Sequence, residues 1–175
     1  MREPAKPLLV VMGVSGCGKS TVGEQLAAAL AVGFVEGDAL HSTANIARMA
    51  AGVALNDADR QEWLGLLSDR LAQAHLADTG LVVSCSALRR AYRDILRRGA
   101  PGLGFVHLSG TRALLAQRTA CRPGHYMPAS LLDSQFAALE PPGADERVMS
   151  FDVAQPPQTI VQRVLADWPR MKAAS

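Results

Sequence analysis

Eight residues near the start of the sequence carry its most specific chemical signal. The stretch "GVSGCGKS", Gly13–Ser20, matches the pattern G-x-x-x-x-G-K-[ST] and directly follows the apolar run "LLVVM". Glycines allow successive backbone N–H groups to turn inward around an anion at the start of a helix. Lys19 adds a mobile positive charge for the β- and γ-phosphates, and the Ser20 hydroxyl suits Mg²⁺. The stretch therefore predicts a site for a nucleoside triphosphate and magnesium.

A carboxylate is expected beside this loop. The second predicted strand ends in "VEGDALH", so Asp38 should emerge at the carboxyl edge of the sheet, where open α/β folds bind ligands. There Asp38 could accept a hydroxyl proton, orient that hydroxyl or hold a magnesium-bound water. A Gly-Asp pair by itself is more typical of a turn, and it is the neighbouring phosphate loop that favours a functional role.

Clustered arginines supply candidate anion ligands. The stretch "VVSCSALRRAYRD" contains Arg89, Arg90 and Arg93, and "LAQRTACRPGH" places Arg118 and Arg122 four residues apart on one helical face. On a generic helix such side chains form a solvated surface. Near the mouth of a phosphate loop they suit an anionic acceptor or, from a closing lid, the transferring phosphate.

Several other classes of protein are disfavoured. No N-K-x-D guanine motif occurs and no Asp is followed three residues later by Gly, which argues against a GTPase switch. A net charge of +2 gives no electrostatic footprint for nucleic acid. The three distant cysteines form no CxxC pair, "MREPAKP" has no apolar signal region, and no apolar run approaches ~18 residues. We expect a cytoplasmic protein with no nucleic-acid partner and no membrane segment.

Short apolar runs alternate with helical patterns, as in parallel sheets covered by helices on both faces. The predicted strands are Leu8–Met12, Gly33–Glu36, Leu81–Ser84, Gly104–Leu108 and Val148–Val153. The predicted helices are Lys19–Ala31, Thr43–Ala51, a long helix capped by Asn56 or Asp57, Leu88–Arg98, Thr111–Cys121, Ala129–Leu139, and Gln158–Trp168, which should stop at Pro169. A length of 175 residues suits one domain, residues 1–175.

Taken together, these motifs resemble the small P-loop gluconokinases, which are related in fold to shikimate kinases and nucleoside monophosphate kinases. The resemblance covers nearly the whole chain and is carried by "VMGVSGCGKST", "GDALHSTANIARMAAGVALNDADRQEWL", "CSALRRAYRDILR" and "GHYMPASLLDSQFAALEPP". It implies an α/β fold of the P-loop NTPase type, a three-layer sandwich with a five-stranded parallel sheet and a small lid at about residues 111–139.

The same resemblance implies an activity. The family phosphorylates D-gluconate at O6 with ATP, giving 6-phospho-D-gluconate and ADP, in gluconate catabolism that feeds the pentose phosphate or Entner–Doudoroff routes. It also implies a homodimer and a requirement for Mg²⁺.

Residue roles follow from the motifs and the resemblance together. Lys19, Asp38 and Arg122 are the expected catalytic residues, and Ser20 and, through water, Asp38 are expected to hold Mg²⁺. The nucleotide is expected to contact Gly13, Val14, Ser15, Gly16, Cys17, Gly18, Lys19, Ser20, Thr21, Arg118, Gln155 and Pro156. The acceptor is expected to contact Asp38, His41, Arg48, Arg60, Arg89, Arg93 and His125.

Some points stay open at the level of sequence. The four arginines at positions 48, 60, 89 and 93 are alternatives for the acceptor carboxylate, because a planar guanidinium suits a planar carboxylate. Arg48 and Arg89 stand where lysine is common in the family, and Glu62 stands where proline is usual, which changes the reach and geometry of any contact. Cys17 lies close to a helix N-terminus, which should favour its thiolate.

Two rival functions remain. The chain could be another small-molecule kinase on the same scaffold, such as a relative of shikimate kinase. It could also be a nucleotide-binding regulatory module without turnover, although a mere binder needs neither Asp38 nor lid arginines.

Overall fold

A computed structural model describes residues 6–121 and 128–173. Five parallel strands form one sheet in the order β2-β3-β1-β4-β5. The strands are β1 (Leu8–Met12), β2 (Gly33–Glu36), β3 (Leu81–Ser84), β4 (Gly104–Ser109) and β5 (Val148–Asp152). The chain therefore passes from one side of β1 to the other, which leaves a crevice at the carboxyl ends of β1 and its neighbours.

Seven α-helices and one 3-10 turn are present in the described part of the chain. The helices are α1 (Lys19–Leu30), α2 (Thr43–Ala50), α3 (Asp57–Leu76), α4 (Arg90–Gly99), α5 (Arg112–Ala120), α6 (Ala129–Ala138) and α7 (Pro157–Ala173), and the 3-10 turn is Gly37–Leu40. Asn56 caps α3 through a reciprocal pair of hydrogen bonds with Asp59. This pair satisfies two backbone N–H groups that the helix start would otherwise leave unpaired.

The sheet is covered on both faces by separate apolar cores. On one face, Leu9 and Val11 pack with apolar residues of α1 and α7. On the other, Leu8, Val10 and Met12 pack with apolar residues of α3 and α4. Because both faces are covered, β1 is buried along its whole length, and this explains why its sequence is a continuous apolar run rather than an alternating one.

The predicted three-layer fold is confirmed, with small changes at the ends of elements. Strands β1, β2 and β3 have the predicted bounds, whereas β4 ends one residue later and β5 one residue earlier. Helix α4 begins at Arg90 rather than Leu88, because Ala87 has a positive φ of 44° and Arg89 is extended.

The prediction that the last helix stops at Pro169 is wrong. Helix α7 continues to Ala173, although proline removes one helical hydrogen bond. Packing explains the continuation: Trp168 is buried and Met171 packs against the same core. The six-membered ring of Trp168 lies so close to Gly104 that a Cβ there would be 2.2 Å from it. No helix in the described ranges is long and apolar enough to cross a membrane.

Candidate active site

The phosphate loop connects β1 to α1, as predicted. Gly13, Gly16 and Gly18 all have positive φ, at 144°, 80° and 91°. A Cβ at Gly13 would lie 2.5 Å from the Leu108 carbonyl oxygen, so this position is restricted to glycine by both space and conformation. A Cβ at Gly18 would meet nothing within 4 Å, because Gly18 lies against open space.

That open space is a cavity of about 240 Å³, here called the phosphate cavity. Lys19 lines it, and its Nζ donates to the Val14 carbonyl oxygen at 3.2 Å. The full lining comprises Ser15, Gly16, Gly18, Lys19, Ser20, Thr21, Asp38 and Arg118. The structure thus brings the two predicted magnesium-binding residues, Ser20 and Asp38, to one cavity together with two cations.

Asp38 belongs to the 3-10 turn, and this turn is fixed from two sides. The backbone N–H of Gly37 donates to Ser84 Oγ at 3.1 Å, and Trp63 Nε1 donates to the Gly37 carbonyl oxygen at 2.7 Å. A Cβ at Gly37 would lie 2.0 Å from the Ser84 carbonyl oxygen, so the close approach requires glycine. The exposed Asp38 side chain therefore directly follows Gly37, which is buried and hydrogen-bonded on both sides.

Two further cavities continue from the phosphate cavity. A small one of about 70 Å³, here called the acceptor pocket, shares Ser15, Lys19 and Asp38 with it. A larger one of about 520 Å³, here called the outer cleft, shares Leu55, Arg60 and Gln135 with the acceptor pocket. The three cavities are therefore adjacent, and Asp38 borders the first two.

His41 lines the acceptor pocket, as its predicted role requires. Its ring stacks on Trp63 with centroids 4.1 Å apart and planes 19° from parallel. Nδ1 is buried and has no hydrogen-bond partner among the described residues. Burial lowers the pKa of His41 below its ordinary value, an effect that Asp38 partly opposes. The ring is therefore neutral at pH 7.

Arg60 is the candidate arginine that the structure brings to the acceptor pocket. It also lines the outer cleft, and its guanidinium lies 5.8 Å from the centroid of the Tyr92 ring. Its Nε donates to the Leu55 carbonyl oxygen at 3.3 Å. Within the part of the chain that the structure describes, no carboxylate pairs with Arg60. A half-buried cation without a counter-ion is thus available to an anionic ligand.

The prediction that Arg93 binds the acceptor is wrong. Arg93 is fully buried and pairs with Glu146 through two hydrogen bonds of 2.7 and 2.8 Å. Its remaining Nη1 hydrogens go to the Ala87 and Leu88 carbonyl oxygens. Arg93, and to a lesser degree Arg97, hold the pKa of Glu146 well below its usual range. Arg93 therefore ties α4 to the chain before β5 and lines none of the three cavities described here.

The other two candidate arginines already have acidic partners. Arg48 pairs with Asp59 at 2.6 Å and does not line any of the three cavities described here. Arg89 lines the outer cleft, but it pairs with Asp57 at 3.0 Å.

On the nucleotide side, Arg118 Nη2 donates to the Val153 carbonyl oxygen at 2.8 Å and Arg118 lines the phosphate cavity. Gln155 and Pro156 follow β5 without lining a described cavity, and Gln155 Oε1 accepts from Arg163 at 2.9 Å. Arg122 and His125 lie outside the described residues.

The predicted activation of Cys17 is wrong. Its side chain is 2% exposed and packs beneath the loop, where Sγ would lie 2.8 Å from a Cβ at Gly13. Burial raises the pKa of the thiol, and this effect outweighs the opposing influence of Lys19 and nearby backbone N–H groups. Only the backbone of Cys17 can therefore face a nucleotide.

Sequence reasoning missed Gln135 on α6. Its Oε1 accepts a hydrogen bond of 2.7 Å from the backbone N–H of Ser15 in the phosphate loop, 120 positions away. It also missed Trp63, which supports both His41 and the turn that carries Asp38. A lone Trp among the leucines of a predicted amphipathic helix reads as core, and a Gln on a helix carries no signal of its own.

The cavities, the phosphate loop and the sheet define a P-loop kinase. A family described as an AAA domain matches residues 8–142. The chain is 47% identical to a gluconokinase of Gluconobacter oxydans (strain 621H) over 90% of this chain and 88% of that protein. A crystal structure of a gluconokinase from Sinorhizobium meliloti 1021 superimposes with a TM-score of 0.88 at 47% identity, covering 98% and 97% of the two chains. The protein belongs to the gluconokinase family.

A more distant likeness concerns the fold alone. The shikimate kinase of Aquifex aeolicus vf5 has a TM-score of 0.61 at 15% identity.

Proposed function

We propose that this protein transfers the γ-phosphoryl group of ATP to O6 of D-gluconate, giving 6-phospho-D-gluconate and ADP. The observation that carries the proposal is the row of adjacent cavities, from the phosphate cavity through the acceptor pocket to the outer cleft. Asp38 lines the first two, and Arg60, which has no carboxylate partner among the described residues, lines the last two. This arrangement suits a phosphoryl donor on one side and an extended anionic acceptor on the other.

The phosphate loop holds the triphosphate. Backbone N–H groups at the start of α1 and the Lys19 ammonium stabilise negative charge on the β- and γ-phosphates, and Arg118 adds a second cation. The Ser20 hydroxyl would hold Mg²⁺ directly and the Asp38 carboxylate would hold it through a bound water, since this ion keeps several waters beside one or two protein oxygens and the phosphates. When bound, the ion neutralises phosphate charge.

Asp38 positions the attacking hydroxyl. A carboxylate at the boundary between donor and acceptor cavities can accept a hydrogen bond from O6–H, align the oxygen with the γ-phosphorus and take up the proton as the new bond forms. The hydrogen bonds that hold the neighbouring Gly37 reduce the motion that would otherwise misalign the hydroxyl.

The acceptor spans two cavities. A pocket of about 70 Å³ holds one end of a six-carbon sugar acid, and the rest extends into the outer cleft. Arg60 lies where the two cavities meet and binds the carboxylate, since it is the candidate arginine with no acidic partner in the described chain. The neutral ring of His41 binds a hydroxyl of the same chain.

The remaining assignments rest on the family alone. Residues 111–139 act as a lid that brings Arg122 to the transferring phosphate and His125 to the acceptor, and Gln155 and Pro156 contact adenine. We also infer that the protein works in the cytoplasm as a homodimer, as one domain, in gluconate catabolism.

The test is a coupled assay of ADP release with a panel of acceptors. We expect turnover of gluconate in strong preference to glucose, shikimate and nucleoside monophosphates. Equal turnover of shikimate would favour another small-molecule kinase on this scaffold. ATP binding without turnover of any acceptor would favour a regulatory module.

A further inference from the structure

The contact between Ser15 and Gln135 links the phosphate loop to α6. The Ser15 backbone N–H donates to Gln135 Oε1 at 2.7 Å. The two residues are distant in the sequence, so neither the loop motif nor the helix pattern requires them to meet. Gln135 therefore needs its own physical explanation.

The contact fixes the orientation of the Gln135 amide. A backbone N–H can only donate, so the atom that faces Ser15 must be the side-chain oxygen rather than the nitrogen. The Nε2 group, with two hydrogens to donate, is then directed away from Ser15. Across residues 6–121 and 128–173, no hydrogen-bond partner of Nε2 is present.

The cavities show what Nε2 can reach. Gln135 lines the acceptor pocket and the outer cleft, and it is absent from the lining of the phosphate cavity. Its neighbours in the acceptor pocket include Lys19, Asp38, His41 and Arg60. The Gln135 side chain therefore lies on the acceptor side of the loop and does not line the phosphate cavity.

We propose that Gln135 is an acceptor-binding residue, whose Oε1 is anchored on Ser15 and whose Nε2 donates a hydrogen bond to a hydroxyl in the middle of the sugar-acid chain. The inference rests on the proposed function, because it needs an acceptor with hydroxyls between its reacting end and its carboxylate. The anchor on the phosphate loop keeps this hydroxyl in register with the phosphoryl donor. A matching hydroxyl then contributes to specificity, since an acceptor without it leaves the Nε2 donor without a partner.

Two substitutions of Gln135 distinguish the role of Oε1, which is anchored on Ser15, from the role of Nε2, which donates to the acceptor. Gln135→Glu keeps the length and an oxygen that can accept from Ser15, but it offers no hydrogen to the acceptor. Gln135→Met keeps the approximate length and loses both functions. Gln73→Glu, on an exposed face of α3 and outside every described cavity, is a matched control for the added charge.

We expect both Gln135 variants to lower kcat/KM for gluconate by about 10- to 100-fold, mainly through KM, and to leave KM for ATP within about threefold of wild type. A second measurement uses gluconates that lack one hydroxyl at C3, C4 or C5. One of these should be a poorer substrate for wild type by about 10-fold, and Gln135→Met should not distinguish it from gluconate. Circular dichroism and thermal melting of each variant establish that it is folded.

Three results would overturn the inference. If Gln135→Glu keeps wild-type kcat/KM while Gln135→Met loses it, the residue acts only as a structural anchor. If KM for ATP changes and KM for gluconate does not, Gln135 serves the nucleotide. If Gln135→Met still discriminates against every deoxygluconate as wild type does, no hydroxyl is bound there. Failure of wild-type enzyme to phosphorylate gluconate would instead overturn the proposed function, and this inference with it.

Discussion

The phosphate cavity and the acceptor side of the site are built in different ways. Six of the eight residues that line the phosphate cavity come from the continuous segment 15–21, and only Asp38 and Arg118 come from elsewhere. The acceptor pocket draws its lining from the phosphate loop and the first residue of α1, the 3-10 turn and the residue after it, α2, the chain around the start of α3, the segment after β3, and α6. The first is therefore a local structure and the second a product of tertiary packing.

This difference bears on how each part can fail. A substitution in the phosphate loop removes a group from a cradle whose backbone conformation its own glycines allow. A substitution on the acceptor side removes one contact among several that arrive from separate elements. We therefore expect single substitutions to have their largest effect in the loop and smaller, substrate-dependent effects in the acceptor pocket.

The largest effect is expected for Lys19→Ala. Loss of the cation from the phosphate cavity should lower kcat by about 10³-fold or more, roughly 4 kcal/mol of transition-state stabilisation. Circular dichroism should be unchanged, because among the described residues the Lys19 ammonium donates only to the Val14 carbonyl oxygen. Activity within tenfold of wild type in the ADP-release assay would contradict the role given to this loop.

Asp38→Asn should follow, with kcat lower by about 10²-fold or more and little change in KM for ATP. The amide keeps the shape of the carboxylate, but it cannot take the hydroxyl proton. Asp69→Asn, an exposed carboxylate on α3, is the matched control and should have no effect. An increase in KM for ATP with unchanged kcat would assign Asp38 to the nucleotide.

The same contrast explains what the sequence could reveal. The phosphate loop can be predicted from the sequence because one short segment specifies its backbone and its charge and lies between a strand and a helix. The strands of the sheet can be predicted as well, because strands covered on both faces are continuous apolar runs such as Leu8–Met12. The end of α7 could not be predicted from the sequence, because the packing of Trp168 against Gly104 overrides the local effect of Pro169.

The acceptor side could be predicted only as a set of candidates. An arginine that binds substrate and one that pairs with a buried carboxylate have the same side chain and similar helical contexts. The partner decides between them: Glu146 neutralises Arg93, and it comes from a segment more than 50 residues away. The sequence around Arg93 does not indicate that partner, so ion pairs of this kind can be identified only from the three-dimensional structure.

Arg60→Ala tests the choice among the arginines. We expect kcat/KM for gluconate to fall by about 10- to 100-fold while that for glucose stays nearly constant, because glucose has no carboxylate to lose. Arg70→Ala, an exposed arginine on α3, is the control. Equal losses for gluconate and glucose would mean that Arg60 supports the pocket rather than the carboxylate, and the same experiment with Arg89→Ala would then be decisive.

Glu146→Gln should affect stability far more than chemistry. Removal of the charge leaves Arg93 buried without a counter-ion, which should lower the free energy of unfolding by about 3–5 kcal/mol. Asp133→Asn breaks the exposed pair with Arg112 and should leave the melting temperature almost unchanged. Well below its melting temperature, Glu146→Gln should keep kcat within a few-fold of wild type.

The pH dependence of this effect has a definite sign. Pairing lowers the pKa of Glu146 in the folded state below its ordinary value of 4.5. The stabilisation is therefore complete above that value and is lost as the pH falls from it towards the folded-state pKa. The stability difference between wild type and Glu146→Gln should shrink on acidification below about pH 4.5, as measured by urea unfolding at a series of pH values. A difference that stays constant down to pH 3 would contradict this assignment.

The smallest effect is expected at Cys17, in spite of its position inside the phosphate loop. Its thiol is buried and its pKa is raised, whereas Cys121 is exposed at the end of α5. Since the thiolate is the reactive form, iodoacetamide should modify Cys121 first and leave Cys17 largely unmodified in the folded protein.

Peptide mapping by mass spectrometry, in parallel with activity, follows both sites during the reaction. Cys121→Ser should abolish the rapid modification, and Cys17→Ser, which keeps a small side chain beneath the loop, should not. Rapid modification of Cys17, with loss of activity and protection by MgATP, would show that the phosphate loop opens far enough to expose its buried side. The loop would then be mobile rather than fixed.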